Sequence, residues 1–162
     1  MKRILSLSFC LLPWTIGIAA SKPNILLIMA DDVGCEPIGC YGGESFATPQ
    51  VDALAKTGMR FEHCYSMPVC HPSRMALMTG RYPFRMKAGW GSFPKESEEQ
   101  SIGRVMQSAG YATSVAGKWQ MTLMKKDAEQ PRRTGFDEWL LFGWHEGARF
   151  HDPMLYQNDK PA

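Results

Sequence analysis

The chain has 162 residues, of which 44% are hydrophobic and 21% charged; this is the composition of a globular domain and excludes a disordered, collagen-like or coiled-coil chain. Its formal charge is +2, and both excess cations are Lys2 and Arg3, so from residue 21 onward 16 basic residues face 16 acidic ones. With no net charge and no Lys/Arg cluster interleaved with aromatics, no nucleic-acid partner is expected.

Residues 1–20 read as a secretory signal peptide. Lys2 and Arg3 form a positive start, a largely apolar stretch follows, and Gly17, Ala19 and Ala20 supply the small residues of a cleavage region. Ser6, Ser8, Pro13 and Thr15 interrupt the apolar stretch, which is short for a membrane span. The expectation is export to the periplasm or the outside, without stable membrane insertion. Four cysteines remain after residue 20: Cys35, Cys40, Cys64 and Cys70. An even count in an exported chain suggests disulfides, and the absence of a CxxC pair argues against zinc.

Residues 24–30 (NILLIMA) form an unbroken apolar run, the pattern of a strand buried on both faces of a parallel sheet. It ends at Asp31-Asp32, and glycines and Pro37 then mark a loop. Thr48-Pro49 opens a helix that Gly58 stops, with Val51, Leu54 and Ala55 on its apolar face. Residues 59–65 alternate apolar and polar, as a strand does. A short helix is expected from about Pro72-Ser73 to Gly80, with Cys70 just ahead of it. Residues 81–100 look irregular. Ile102, Val105, Met106 and Ala109 have helical spacing, and Gly110 closes that helix. Residues 111–116 read as a further strand that ends at Gly117-Lys118, and residues 121–162 as loop-rich. Strands alternating with helices predict an α/β fold with a largely parallel central sheet flanked by helices.

In such sheets ligands bind beyond the C-terminal strand ends. Asp31-Asp32, the Cys70 loop and Lys118 all fall there. Two adjacent carboxylates repel each other unless a cation or donors stand nearby, which suits a hard divalent ion; a solvated turn is the ordinary alternative. Cys70-His71-Pro72-Ser73-Arg74 places a cysteine, a helix start and a guanidinium within five residues. A thiol at a helix start is acidified, and Arg can grip a tetrahedral oxyanion with two hydrogen bonds. A buried or disulfide-bonded cysteine before an ordinary helix fits the same residues. Three residues separate Cys70 from Arg74, which does not match the five of a cysteine-dependent phosphatase loop. Lys118 is placed to reach the same anion, though most lysines are simply solvated.

Together these motifs resemble the sulfatase family. Cys70-His71-Pro72-Ser73-Arg74, followed by Gly80-Arg81-Tyr82-Pro83, resembles its first signature, and Gly110-Tyr111-Ala112-Thr113 through Gly117-Lys118-Trp119 its second. Lys22-Pro23-Asn24 leading to Asp31-Asp32, Gly135-Phe136-Asp137-Glu138 and Asp152-Pro153 also look similar. The resemblance implies an alkaline-phosphatase-like fold and hydrolysis of a small-molecule or carbohydrate sulfate ester. It implies that Cys70 is oxidised to formylglycine by a formylglycine-generating enzyme, becoming the nucleophile and a metal ligand. Arg74 would stabilise the modified side chain, Lys118 would contact a sulfate oxygen, and Asp31 and Asp32 would bind calcium or magnesium. Phosphonate or phosphate ester hydrolysis on the same scaffold, and a non-catalytic secreted domain with Cys70 in a disulfide, are the alternatives.

Two departures from the family pattern stand out. The second signature usually continues with His, and this chain has Gln120, which can hydrogen-bond a hydrate but cannot transfer a proton at neutral pH. His145 and His151 are candidate substitutes, and His71, variable in the family, is given no role. The family also expects a further Asp-Asn pair, His and Lys downstream. The expectation is therefore that residues 21–162 are the N-terminal portion of a sulfatase catalytic domain, an incomplete fold that is inactive alone.

Overall fold

A computed structural model describes residues 22–148, 151–158 and 160–161. The expected signal peptide lies outside the described residues. The chain falls into two units, Met1–Ala30 and Asp31–Ala162.

In the first unit, residues 22–30 form no strand. Ile25, Leu26, Leu27 and Ile28 are exposed, Leu26 by 85%. The expected buried strand is thus absent. An apolar run reports what a segment can bury, but a strand exists only where a neighbour completes its hydrogen-bond ladder.

In the second unit, a turn of 3-10 helix at Gly39–Tyr41 precedes α1, Pro49–Thr57. Pro49 occupies the first turn and Gly58 the C-cap, as expected. Thr48 does not cap α1 with its side chain. Its hydroxyl accepts from the Gly39 N–H (2.8 Å) and donates to Asp52 (3.1 Å), tying the turn to the helix. The strand expected at residues 59–65 is absent, and Met59 and Tyr65 are 78% and 87% exposed. Alternation makes a strand only when one face is covered.

Helix α2, Cys70–Thr79, starts two residues earlier than expected, so Cys70 is its first residue and Pro72 its third. Val69 takes an extended conformation and its carbonyl accepts the Ser73 N–H (3.3 Å). The first helical N–H groups have no acceptor within the helix, so proline fits any of those positions. Met75 is completely buried, and Gly80 ends the helix at φ 64°. Residues 81–100, expected to be irregular, contain a helical turn at Pro83–Met86 and a one-turn helix α3, Lys95–Glu98.

Helix α4, Ile102–Ser108, is capped by Ser101, whose hydroxyl accepts from the Arg104 N–H (3.3 Å) and donates to the Thr134 carbonyl (2.6 Å). Gly103 packs directly on that segment: a Cβ there would lie 2.4 Å from the Thr134 oxygen. Strand β1, Ser114–Lys118, begins three residues later than expected. The N–H of Thr113 is taken by the Asp137 carboxylate (2.8 Å), so this residue gives no donor to the ladder, although its carbonyl accepts from the Glu138 N–H (3.2 Å).

Residues 121–162, read as loop-rich, contribute helix α5, Gln130–Arg133, and strands β2, Glu138–Phe142, β3, Leu155–Gln157, and β4, Lys160–Pro161. The sheet order is β1-β2-β3-β4. β1 and β2 are parallel, with Lys118 opposite Phe142, while β3 and β4 join antiparallel. The α/β class holds, but the described sheet is mixed rather than largely parallel, because β3 and β4 run antiparallel to their neighbours. The core beneath it is rich in methionine and aromatics: Met75, Met121, Met124, Trp119, Trp139 and Leu141 are each at most 3% exposed. Trp119 donates to Gln130 (2.9 Å) and meets Phe136 edge-on. No helix among the described residues is long and apolar enough to cross a membrane.

Candidate active site

The site forms where β1 ends beside the first turn of α2. Gly117 takes φ 106°, a conformation glycine reaches without strain, and Lys118 follows as the last residue of the strand. From α2, Arg74 donates from Nη1 to the Lys118 carbonyl (2.7 Å). The Lys118 Nζ donates to Asp31 Oδ2 (2.7 Å), and Arg74 Nη2 lies 3.4 Å from Asp31 Oδ1. The Lys118 and Arg74 side chains are only 12% and 13% exposed, and Asp31 is a third exposed. Burial pushes the Asp31 carboxyl up, but the hydrogen bond and charge of Lys118, with those of Arg74, outweigh it and hold it below its ordinary value. Two cations against one carboxylate leave this trio with an excess positive charge. Such an arrangement is a preorganised receptor for an anion.

Cys70 opens the helix turn that carries Arg74, four residues on, so both lie along one side of α2. Its thiol is free and half-buried, as those of Cys35, Cys40 and Cys64 are free. The disulfides suggested by the even count are absent among the described residues, and so is the reading of Cys70 as a disulfide partner. Ser73 points its hydroxyl at the Met67 and Val69 carbonyls (3.0 and 2.9 Å), holding the chain that leads into Cys70. Of the expected site residues, Asp31, Arg74 and Lys118 are therefore in direct contact. Asp32 is exposed, with φ 55°.

A family model for sulfatases matches residues 23–160. The chain belongs to the sulfatase family. It is 38% identical over 146 residues to mouse steryl-sulfatase, covering 79% of this chain and 23% of that protein. It is 41% identical over 138 residues to human arylsulfatase A, covering 80% of this chain and 27% of the relative. It is 32% identical to the N-acetylglucosamine-6-O-sulfatase of Bacteroides thetaiotaomicron, covering 86% of this chain and 24% of the relative. A solved chain from work on the metabolism of multiple glycosaminoglycans by Bacteroides thetaiotaomicron superposes with TM-score 0.73 at 31% identity, over 87% of this chain and 32% of its own length. The alkaline-phosphatase-like α/β class is thereby borne out. This sulfatase chain spans about a quarter of the curated relatives it matches.

Sulfatases imply a divalent cation. Asp31 and Asp32 offer hard carboxylate oxygens, yet no group of three His, Cys, Asp or Glu able to hold a metal occurs among the described residues, and Asp31 is engaged by Lys118 and Arg74. Calcium takes 6–8 oxygen ligands, so these residues alone do not complete a site for it.

Two buried residues, His71 and Gln120, meet beside the site in a contact that the sequence did not signal. His71 is 3% exposed and its Nδ1 lies 2.8 Å from the Gln120 carbonyl. Gln120 is 2% exposed, takes φ 52°, and neither atom of its side-chain amide has a hydrogen-bond partner. No periodicity or motif signals a contact between a side chain and a main-chain carbonyl 49 residues away. Of the candidate substitutes for the missing family histidine, His145 packs on the Trp144 ring (3.8 Å between centroids), and His151 is exposed.

Proposed function

We propose that this chain carries the nucleophile and anion-binding half of a sulfuric-ester hydrolase, with formylglycine derived from Cys70 as its reactive group. The supporting observation is the contact of Lys118 and Arg74 with one another and with Asp31, beside the first residue of α2. Oxidation of Cys70 by a formylglycine-generating enzyme gives an aldehyde, and water adds to it as a hydrate with two hydroxyls on one carbon. One hydroxyl loses its proton and attacks sulfur; the S–O bond to the alcohol breaks, and the alcohol leaves with a proton. The second hydroxyl then loses its proton, the C=O bond re-forms, and sulfate departs. Water restores the hydrate. An ordinary serine or cysteine ester would need a second attack by water, whereas the hydrate expels its group unaided.

In this reading Lys118 holds a sulfate oxygen, and Arg74 holds the modified side chain and the charge that develops on it. Asp31 keeps both cations oriented before substrate arrives. Asp31, Asp32 and the converted side chain of Cys70 are also the groups we assign to a calcium or magnesium ion. Residues 1–20 direct the protein to the periplasm or the outside. The substrate is a small-molecule or carbohydrate sulfate ester, consistent with the names of the relatives.

Hydrolysis of an aryl sulfate and of the matching aryl phosphate by the full gene product, at equal concentration, tests the assignment. Faster release from the sulfate is expected, and a preference for the phosphate would assign the site to phosphoryl esters instead. Replacing Cys70 by alanine should abolish release of either.

A further inference from the structure

One turn of α2 makes two hydrogen bonds to the exit of β1. His71 and Arg74, three residues apart, lie on one side of the helix. They meet the carbonyls of Gln120 (2.8 Å) and Lys118 (2.7 Å), two residues apart. Arg74 has a second task at Asp31. His71 has none: its Nε2 is buried without a partner, under the ring of Trp90 (5.5 Å between centroids).

A carbonyl only accepts, so it is His71 Nδ1 that donates in this bond. A leucine would fill the same buried space and leave no nitrogen unpaired. What the histidine adds is the bond to residue 120. That bond falls on a backbone that needs holding, since a non-glycine residue keeps φ 52° only where its surroundings fix it. It also falls on the residue whose buried amide is free to donate and accept. His71 is covalently next to Cys70. Helix start and strand exit are thus locked together one residue from the nucleophile on one side and at the free amide on the other.

We propose that His71 is a positioning residue, whose Nδ1–H bond to the Gln120 carbonyl sets the Gln120 amide in register with the group at position 70. The proposal rests on the formylglycine reading above. It assigns a role to the variable position of the first signature in this chain, and it makes Gln120 and His71 a matched pair.

The test uses the full gene product after maturation, with rates normalised to the aldehyde content of the peptide spanning residues 61–74. His71→Leu keeps the packing and removes the bond; its kcat for an aryl sulfate should fall by about 10- to 100-fold, with KM changed by less than about threefold. His71→Asn, whose side-chain N–H lies near the place of Nδ1–H, should recover most of that loss. A folded, matured His71→Leu protein with kcat within about twofold of wild type overturns the proposal, as does His71→Asn no better than leucine. Nitrogen-15 NMR of the wild-type histidines requires no variant: a proton on Nδ1 of His71 is expected, and a bare Nδ1 overturns the proposal. Wild-type protein that releases no sulfate would instead overturn the reading of the whole site, and this inference with it.

Discussion

Lys118 and Asp31, 87 residues apart in sequence, are joined by a 2.7 Å hydrogen bond at the end of β1. Arg74 reaches the same carboxylate from α2. Asp31 is therefore the anion that allows two scarcely exposed cations to stand side by side. Replacing it by alanine leaves both without their carboxylate, and the cost is expected to be about 1–3 kcal/mol. Urea denaturation checks this, and an unchanged midpoint would show that the trio is not a unit.

Lys118 and Arg74 are expected to act on turnover rather than on folding alone. Lys118→Ala should lower kcat/KM for an aryl sulfate by about 10²- to 10³-fold, the effect of removing one preorganised donor from a developing anion. Arg74→Lys should be nearly as damaging, because an ammonium cannot serve the Lys118 carbonyl and Asp31 in the geometry of a planar fork. Both values are to be taken per mole of formylglycine, so that incomplete maturation is not read as slow chemistry.

Away from the site, Arg133 grips Glu98 with two bonds (2.8 and 3.1 Å) and Asp127 with two more (2.9 and 2.5 Å). Its hydrogen bonds to Asp127 and Glu98 drive the guanidinium pKa well above its ordinary value. The Glu98 side chain is only 8% exposed. Arg133→Ala strands that carboxylate and should cost about 2–4 kcal/mol, whereas Arg132→Ala, which removes the more exposed Glu129 pair, should cost less than about 1 kcal/mol. Thermal or urea melts of the two variants in parallel give the comparison.

Asp137 accepts from the N–H and hydroxyl of Thr113 and from Gln107, and these bonds hold its carboxyl below the ordinary value of 3.8. The stability from a lowered carboxyl is complete above its unfolded pKa and is lost as the pH falls through the folded one. Asp137→Asn should therefore be less stable than wild type at neutral pH, and the gap should close as the pH drops below about 4. Denaturation midpoints of the two proteins across that range decide it. A constant gap would mean that the ionised form contributes nothing.

These residues also show how far the sequence could be read. Gly58, Gly80 and Gly110 each end or follow a helix because a helix stop is local chemistry, written in the residue itself. That Arg74 and Lys118 would come together was legible for a related reason, since their motifs lie at the start of α2 and the end of β1. The apolar run at residues 24–30 and the alternating one at 59–65 failed as strands because periodicity records only which face a segment offers. Whether a neighbour pairs with it is a property of the rest of the fold. The partner choices of Arg133 and His71 were invisible for the same reason. One selects among 16 acidic residues and the other binds a carbonyl, which every residue has.

The most direct test is mass spectrometry of the tryptic peptide of residues 61–74 from sulfate-releasing full gene product. Replacement of the sulfur and two hydrogens of Cys70 by one oxygen, with the aldehyde trapped by a hydrazine, is the result expected here. An intact thiol at Cys70 in fully active material would contradict it.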